Sequence, residues 1–399
     1  MSIDVTEHFL LQNALAFEED LVAFRRHLHS HPERTGNEVQ TTQFIAERCR
    51  DLGLEPQIAG ESRGLWCDVG QGDARTLVRG DIDALPIQTT LQTDYRSRND
   101  GVMHACGHDV HATCVFGALR LLRDRAESDA SVSARFCFQP AEEDSTGARH
   151  MISAGVLRGV GRAIALHTDP GRPVGTVGVR DGAFTASCRV FELTVRGRGG
   201  HGARPFQTDD VLMAATAWLH DAALQVPRRT NNLHPVVFNV GSFHAGDAAN
   251  VVPDAAALSG TLRATNRHQA ETAWEVLQRI TRLTADRFGC GMNLTTHHDN
   301  PPLVNDPGLT AAIGDAARSV LGSPNVVAMN DPSMGAEDFA FFSDHVPAAM
   351  FRLGIADGDG RVGHHGLHTS NFDVDERCLA VGAAVLAETV RTLVAPSNE

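Results

Sequence analysis

Residues 135–144, RFCFQPAEED, and 162–170, RAIALHTDP, each begin as an apolar run and stop on side chains that ionise or bind. TLVRGD at 76–81 has the same form, and a helical pattern, DVHATCVFGALRLLRDR, fills about 109–125. Short buried strands alternating with helices predict an α/β fold with a mostly parallel sheet flanked by helices. In such sheets chemistry collects beyond the carboxyl ends of the strands. The three strands end in Arg79 and Asp81, in Glu142 and Glu143, and in His167, so those residues are expected to converge. Upstream, residues 17–52 carry helical periodicity.

Near residue 187 the pattern changes. CRVFELTVRG reads as a strand, TDDVLMAATAWLHDAAL as a helix with its N-cap at Thr208, VVFNVGSFH and AALSGTLRA as two strands, AETAWEVLQRITRLTADRF as a helix and MNLTTHH as a last strand. That βαββαβ order predicts a small ferredoxin-like α+β unit. Alternation then resumes with PGLTAAIGDAARSVLG, AAMFRLG and a closing helix from Asp375 to about residue 394. The first domain is therefore expected to be discontinuous, 1–186 and 302–399, with 187–301 inserted in it.

A length of 399 residues suits two domains. Hydrophobic residues at 42% and charged residues at 21% sit near the globular average and argue against disorder or coiled coil. All 35 basic residues are Arg, and the net charge is −14. Nucleic acid and anionic membrane surfaces are thus disfavoured as partners, and lysine-based covalent or phosphate chemistry is excluded. The acidic N-terminal stretch lacks a basic n-region and no apolar run approaches ~18 residues, so a cytoplasmic location and no membrane span are expected. Eight Cys lie scattered without CxxC pairs, which reads as buried thiols rather than a disulfide framework.

The twenty His cluster, most densely in His104-Ala-Cys106-Gly-His108-Asp109-Val-His111. A thiol and an imidazole two residues apart, opened by Gly107 before a helix, could face one borderline-soft cation; the plain alternative is a capped helix start. Glu142 and Glu143 in PAEED could split roles, one binding metal and one acting as general base, or could simply favour a helix N-terminus. His167 and His368 follow a strand end and a glycine turn, and five ligand-type residues in such places raise the joint case for metal. The histidines at 27, 29 and 31 read as structural. Gly197-Arg-Gly199-Gly-His-Gly202 matches the dinucleotide fingerprint, but no helix opens at the third Gly, so a nicotinamide oxidoreductase is remote. Hydrolysis with Cys106 as nucleophile is a further alternative.

HLHSHPE (27–33), RGDIDALPI (79–87), GVMHACGHDVHAT (101–113), FQPAEE (138–143), GRGGHGARP (197–205), NVVPD (250–254), GTLR (260–263), GAEDFAFF (335–342) and LHTSNFDVDE (367–376) resemble, in order and spacing, the M20 metallopeptidase superfamily. The resemblance covers nearly the whole chain and is strongest to the amidohydrolases that include hippurate hydrolase and the indole-acetyl-amino-acid hydrolases. It implies a dinuclear centre held by Cys106, His108, Glu143, His167 and His368, with Zn²⁺ or Mn²⁺ expected and Co²⁺ or Ni²⁺ as substitutes. Cys106 stands where related peptidases carry a bridging aspartate. Glu142 matches the general acid/base that works on metal-activated water. His201 matches a lid histidine that stabilises the oxyanion, in several members across a dimer interface. Asn250 and Arg263 match residues that hold the substrate carboxylate, and the Gly335-Ala336 turn would add backbone donors. Asp81 and Asp109 are expected to orient a ligand histidine or to serve structure.

RGDID in place of the commoner RADMD, HTSNF in place of HHP or HSP, and Val after Asp210 depart from the family pattern without touching a proposed ligand. The expected activity is cleavage of N-acyl or N-aroyl amino acids to a carboxylic acid and a free amino acid, in a homodimer formed through the inserted lid. A dipeptidase or carboxypeptidase of the same superfamily is the rival, and a binding protein without activity is argued against by the complete ligand set with Glu142.

Overall fold

The computed structural model describes residues 8–72, 74–126, 132–360 and 362–393. They form two compact units. The first contains the described residues up to Gly182, Val304–Asp331 and those from Asp338 onward; the second contains Ala183–Leu303 and Pro332–Glu337. The stretch 332–337 thus leaves the segment 302–399 to which the sequence reading assigned it. Backbone pairing is the reason: Ala186 N–H donates to the carbonyls of Ser333 and Gly335, both at 3.0 Å, and Ser333 N–H to Phe184 O at 2.9 Å.

In the first unit eight strands make one sheet in the order 57–58, 65–70, 133–139, 75–81, 160–173, 348–356, 177–179, 326–328. The central four run parallel, with antiparallel pairings on either side of them. Strands Arg75–Asp81 and Ser133–Gln139 are buried at every position but the first, which is why their sequences run apolar instead of alternating. Helix His108–Ala126 is likewise buried nearly all round up to Leu122, because it packs between the sheet and helix Cys378–Thr392, itself buried over most of its length. One expectation is corrected here. His167 does not close its strand: Val160–Pro173 continues past it, paired with Ala348–Ala356 through Arg352↔His167 and Gly354↔Asp169.

The second unit has the βαββαβ order: strand Ser187–Arg196, helix Val211–Arg229, strands Val236–Ala245 and Ala255–Ala264, helix Arg267–Phe288 and strand Gly291–Asn300. Its sheet is antiparallel throughout, in the order 236–245, 255–264, 187–196, 291–300. Burial alternates along Ser187–Arg196, so Phe191, Leu193 and Val195 share a core with Leu258, Leu262, Trp218, Leu277 and Ile280. Trp218 Nε1 donates to Thr281 Oγ1 at 2.9 Å, joining the two helices. The N-cap of the first helix is Asp210, whose Oδ1 accepts Met213 N–H at 3.0 Å, and not Thr208. Thr208 Oγ1 instead donates to Pro205 O at 2.8 Å. Among the described residues no helix is long and apolar enough to cross a membrane.

Candidate active site

Six side chains from four separate stretches of the first unit meet at the carboxyl end of its sheet: Cys106, His108, Glu142, Glu143, His167 and His368. Cys106 and His108 are placed by the tight entry to helix His108–Ala126. Gly107 has φ +89, and a Cβ there would stand 2.5 Å from Thr168 Oγ1, so only glycine lets the helix start this close to the neighbouring strand. Cys106 Sγ lies 3.7 Å from His167 Nε2. His108 Nδ1 faces the Asp83 carboxylate at 3.0 Å and the Asp83 carbonyl at 2.9 Å. With two acceptors there, Nδ1 carries a proton and Nε2 is presented to the cluster. His167 is oriented the same way, its Nδ1 2.8 Å from Thr168 O.

Glu142 and Glu143 stand on the turn after strand Ser133–Gln139. Ala141, just before them, has φ +51, and His368 has φ +63. Left-handed backbone at residues with a side chain costs roughly 1–2 kcal/mol and is retained where surroundings over-determine it. His368 is held by its N–H to Ala105 O at 2.7 Å. Glu143 Oε1 is 3.3 Å from His368 Nε2 and 3.9 Å from His108 Nε2. Glu142 differs: its Oε2 is 4.0 Å from His108 Nε2, and its Oε1 accepts Asp338 N–H at 3.3 Å. Donor atoms of Cys106, Glu143 and His368 lie within 4.8 Å of one another, as do those of His108, Glu142 and Glu143, and His167 joins them through Cys106.

The residues present fit divalent cations. His108 Nε2 and Glu143 Oε1 are buried without a hydrogen-bond partner. Such atoms cost about 1–3 kcal/mol each unless something satisfies them. One thiol, three imidazoles and a carboxylate form a donor set that suits a borderline cation. At His167 the electrostatics agree. Burial pushes His167 well below the usual histidine range, with Arg352 adding to it, so its nitrogen is available as a lone pair. Burial likewise pushes the Cys106 thiol up, so as a bare thiol it is a poor nucleophile.

Beneath the cluster lies a buried polar layer. Burial opposes charge on Asp81, yet Arg79, His108 and His111 hold its carboxyl well below the usual carboxylate range. Asp81 Oδ1 is 2.6 Å from His111 Nδ1, Arg79 donates to Asp81 Oδ2 at 2.6 Å and to Asp338 Oδ1 at 2.7 Å, and Thr168 N–H donates to His111 Nε2 at 2.9 Å. Asp109 is taken by Arg25 Nε and His29 Nδ1, both at 2.8 Å. Neither Asp81 nor Asp109 therefore bonds the Nδ1 of a proposed ligand; Asp83 does, which the sequence reading missed. The signal was there in RGDID, since residues two apart at a strand end face the same way. His29 is buried in that Asp109 contact and so is structural.

The remaining sequence candidates belong to the second unit. His201 is exposed, its Nδ1 accepting Ala203 N–H at 3.0 Å, and it pairs with Val251 beside Asn250, whose carbonyl accepts Gly202 N–H at 2.8 Å. Arg263 donates to Met334 O at 2.9 Å. Gly335, next to it, spends its N–H on Ser333 Oγ at 3.0 Å. The GxGxxG string leads into the two-residue strand Gly200–His201; a single 3-10 turn, Pro205–Gln207, follows, and the first α-helix after it begins at Val211. This is not the strand-to-helix cradle a dinucleotide needs.

The family description Peptidase family M20/M25/M40 matches residues 77–392. An N-acetyl-L-cysteine deacetylase of Bacillus subtilis is 33% identical over 392 residues, covering 97% of this chain and 91% of that protein. Thermostable carboxypeptidase 2 of Saccharolobus solfataricus is 32% identical over 375 residues, covering 92% and 93%. Among solved structures, the Bacillus subtilis YXEP protein, described as a dinuclear metal-binding peptidase of the M20 family, superposes with a TM-score of 0.81 at 30% identity, covering 95% of this chain and 99% of that one. With these likenesses spanning both units and the ligand-type cluster standing where the family motifs lie, the chain belongs to peptidase family M20/M25/M40 and is a hydrolase of that family.

Proposed function

We propose that the protein is a metal-dependent amidohydrolase that cleaves N-acyl or N-aroyl amino acids to a carboxylic acid and a free amino acid. The observation that carries this is the division of labour on one turn: Glu143 Oε1 faces two imidazole Nε2 atoms, whereas Glu142 Oε1 is tied to a backbone N–H. Cys106, His108, Glu143, His167 and His368 would hold two divalent cations, Zn²⁺ or Mn²⁺, with Co²⁺ or Ni²⁺ as substitutes. Bound there, the cations supply the positive charge that acidifies a water and polarises an amide carbonyl. Glu142 takes the proton from the attacking water and returns it to the leaving amine. The inserted unit acts as a lid: His201 stabilises the oxyanion, and Asn250, Arg263 and the Gly335 turn hold the free carboxylate of the substrate. The lid is also the dimer-forming part, and a cytoplasmic setting is supported by eight free, buried thiols.

A carboxypeptidase or dipeptidase is the second reading, favoured by the likeness to the Saccharolobus enzyme. A hydrolysis panel after loading with each metal separates them: N-acetyl and N-benzoyl amino acids against peptides with a free α-amine. Glu142→Gln should keep its metal and lose about 10²–10⁴-fold in kcat, as for a removed general base. Glu143→Gln should lose metal. Near-normal turnover in Glu142→Gln, or equal metal loss from both, refutes the assignment, and preference for free peptides moves the protein to the second reading.

A further inference from the structure

Glu38 belongs to none of the site motifs, yet it is fully buried and reaches the turn that carries both site carboxylates. It precedes helix Val39–Asp51 at the N-cap position without capping it. Its Oε1 instead accepts Gly36 N–H at 2.7 Å and, 103 residues along the chain, Ala141 N–H at 2.9 Å. Ala141 is the residue with φ +51 immediately before Glu142. An alanine gains nothing from that conformation by itself and needs to be held in it.

The rest of the turn closes around the same residue. Ala141 O accepts Gly147 N–H at 2.9 Å and Thr146 N–H at 3.3 Å, and Glu142 O accepts Ser145 N–H at 2.8 Å. A Cβ on Gly147 would come within 1.6 Å of Pro140 O, so the chain returns on itself as tightly as glycine allows. On its outer side Glu143 N–H is taken by Asp83 Oδ2 at 3.1 Å. Of the side chains that grip this turn, Glu38 holds the strained residue itself. Its second oxygen, Oε2, is buried without a partner. Burial, and then the charge of Asp83, raise the carboxyl to about 7. A neutral acid protonated on Oε2 still accepts through Oε1, so the clamp needs an acceptor oxygen and no charge.

We propose that Glu38 is a positioning residue for the hydrolytic site: by accepting the Ala141 N–H it holds the left-handed turn that sets where Glu142 and Glu143 stand. This rests on the roles given above to those two carboxylates, but the clamp is tested without them. Hydrogen exchange of the metal-free protein reads it directly. In Glu38→Ala the amides of residues 138–147 should exchange at least ~10-fold faster than in the wild type, while helix 108–126 keeps its protection. Zinc affinity, read by competition with a chromophoric chelator, should weaken about 10-fold, because Glu143 sits on the loosened turn. In the loaded enzyme kcat should fall about 10-fold or more with KM little changed.

Two variants separate clamping from general stability. Glu38→Gln keeps the acceptor oxygen and should restore exchange rates, zinc affinity and kcat. Adding Ala141→Gly to Glu38→Ala should recover part of kcat, because glycine takes φ +51 without strain. Unchanged exchange in Glu38→Ala overturns the proposal. So does a Gln variant as impaired as Ala, or a double variant with no recovery. If Glu38→Ala does not fold, Glu38→Asp, one methylene short of Ala141, takes its place under the same criteria. A failure of the amidohydrolase reading would appear in the substrate panel and leave the exchange result standing.

Discussion

Asp83 and Asp81 stand two residues apart and serve different histidines, Asp83 at 3.0 Å from His108 Nδ1 and Asp81 at 2.6 Å from His111 Nδ1. Only His108 offers its other nitrogen to the cluster, since His111 Nε2 already accepts a backbone N–H. Asp83 is therefore the carboxylate that fixes tautomer and ring orientation of His108, a proposed metal ligand. Asp83→Ala should weaken divalent-metal affinity by about 10–100-fold, measured by chelator competition at constant pH. Asp83→Asn, which can still accept through its amide oxygen, should lose less. Affinity equal to wild type in the Ala variant would remove Asp83 from the site. At this scale the ligand types were legible, because thiol, imidazole and carboxylate announce their chemistry. Which carboxylate served which histidine was not: Asp81, Asp83 and Asp109 are alike as residues and differ only in what lies opposite.

Elements show the same division. Continuous apolar runs foretold the central strands, and the strand read in CRVFELTVRG is Ser187–Arg196, along which burial alternates. The extent of Val160–Pro173 escaped, because HTDPGRP looks like a loop and is held extended by pairing with the neighbouring strand. Strand Val236–Ala245 lies at one edge of its sheet and, among the described residues, pairs on one side only. Val236, Phe238 and Val240 pack on the core while Val237 and Phe243 are exposed, and Phe206 and Leu233 of the same unit are more than 80% exposed. An open edge carrying apolar side chains favours pairing with another copy. If this edge makes the proposed homodimer, light scattering should give a dimer mass for the wild type and a monomer mass for Val237→Asp/Phe243→Asp. A monomeric wild type, or a double variant that stays dimeric, would exclude this edge.

On the scale of the whole molecule, six candidate residues gather in one unit while His201, Asn250, Arg263 and Gly335 lie in the other. If the second unit is a working lid, its residues should be separable in kinetics. His201→Ala should lower kcat by about 10²-fold or more on acid and amide forms of one substrate alike, as for a lost oxyanion donor. Arg263→Ala should erase the preference for the acid form, because a guanidinium pairs with a carboxylate and not with a carboxamide. Equal losses from both variants on every substrate would point to damage to the unit rather than to two roles, and an unchanged acid preference would take Arg263 out of the site. The amino-acid sequence alone determined the α/β class, the βαββαβ order, the absence of lysine chemistry and which side chains are of a type that can bind metal, since these follow from local periodicity and residue chemistry. Only the tertiary structure decided that Asp83 holds His108, that Asp109 belongs to Arg25 and His29, that 332–337 joins the second unit and that Glu38 reaches Ala141. Each of these joins residues distant along the chain, and a contact closed by folding is not named by the sequence around either partner: spacing can put Asp83 on the same side as Asp81, but not say which histidine lies opposite.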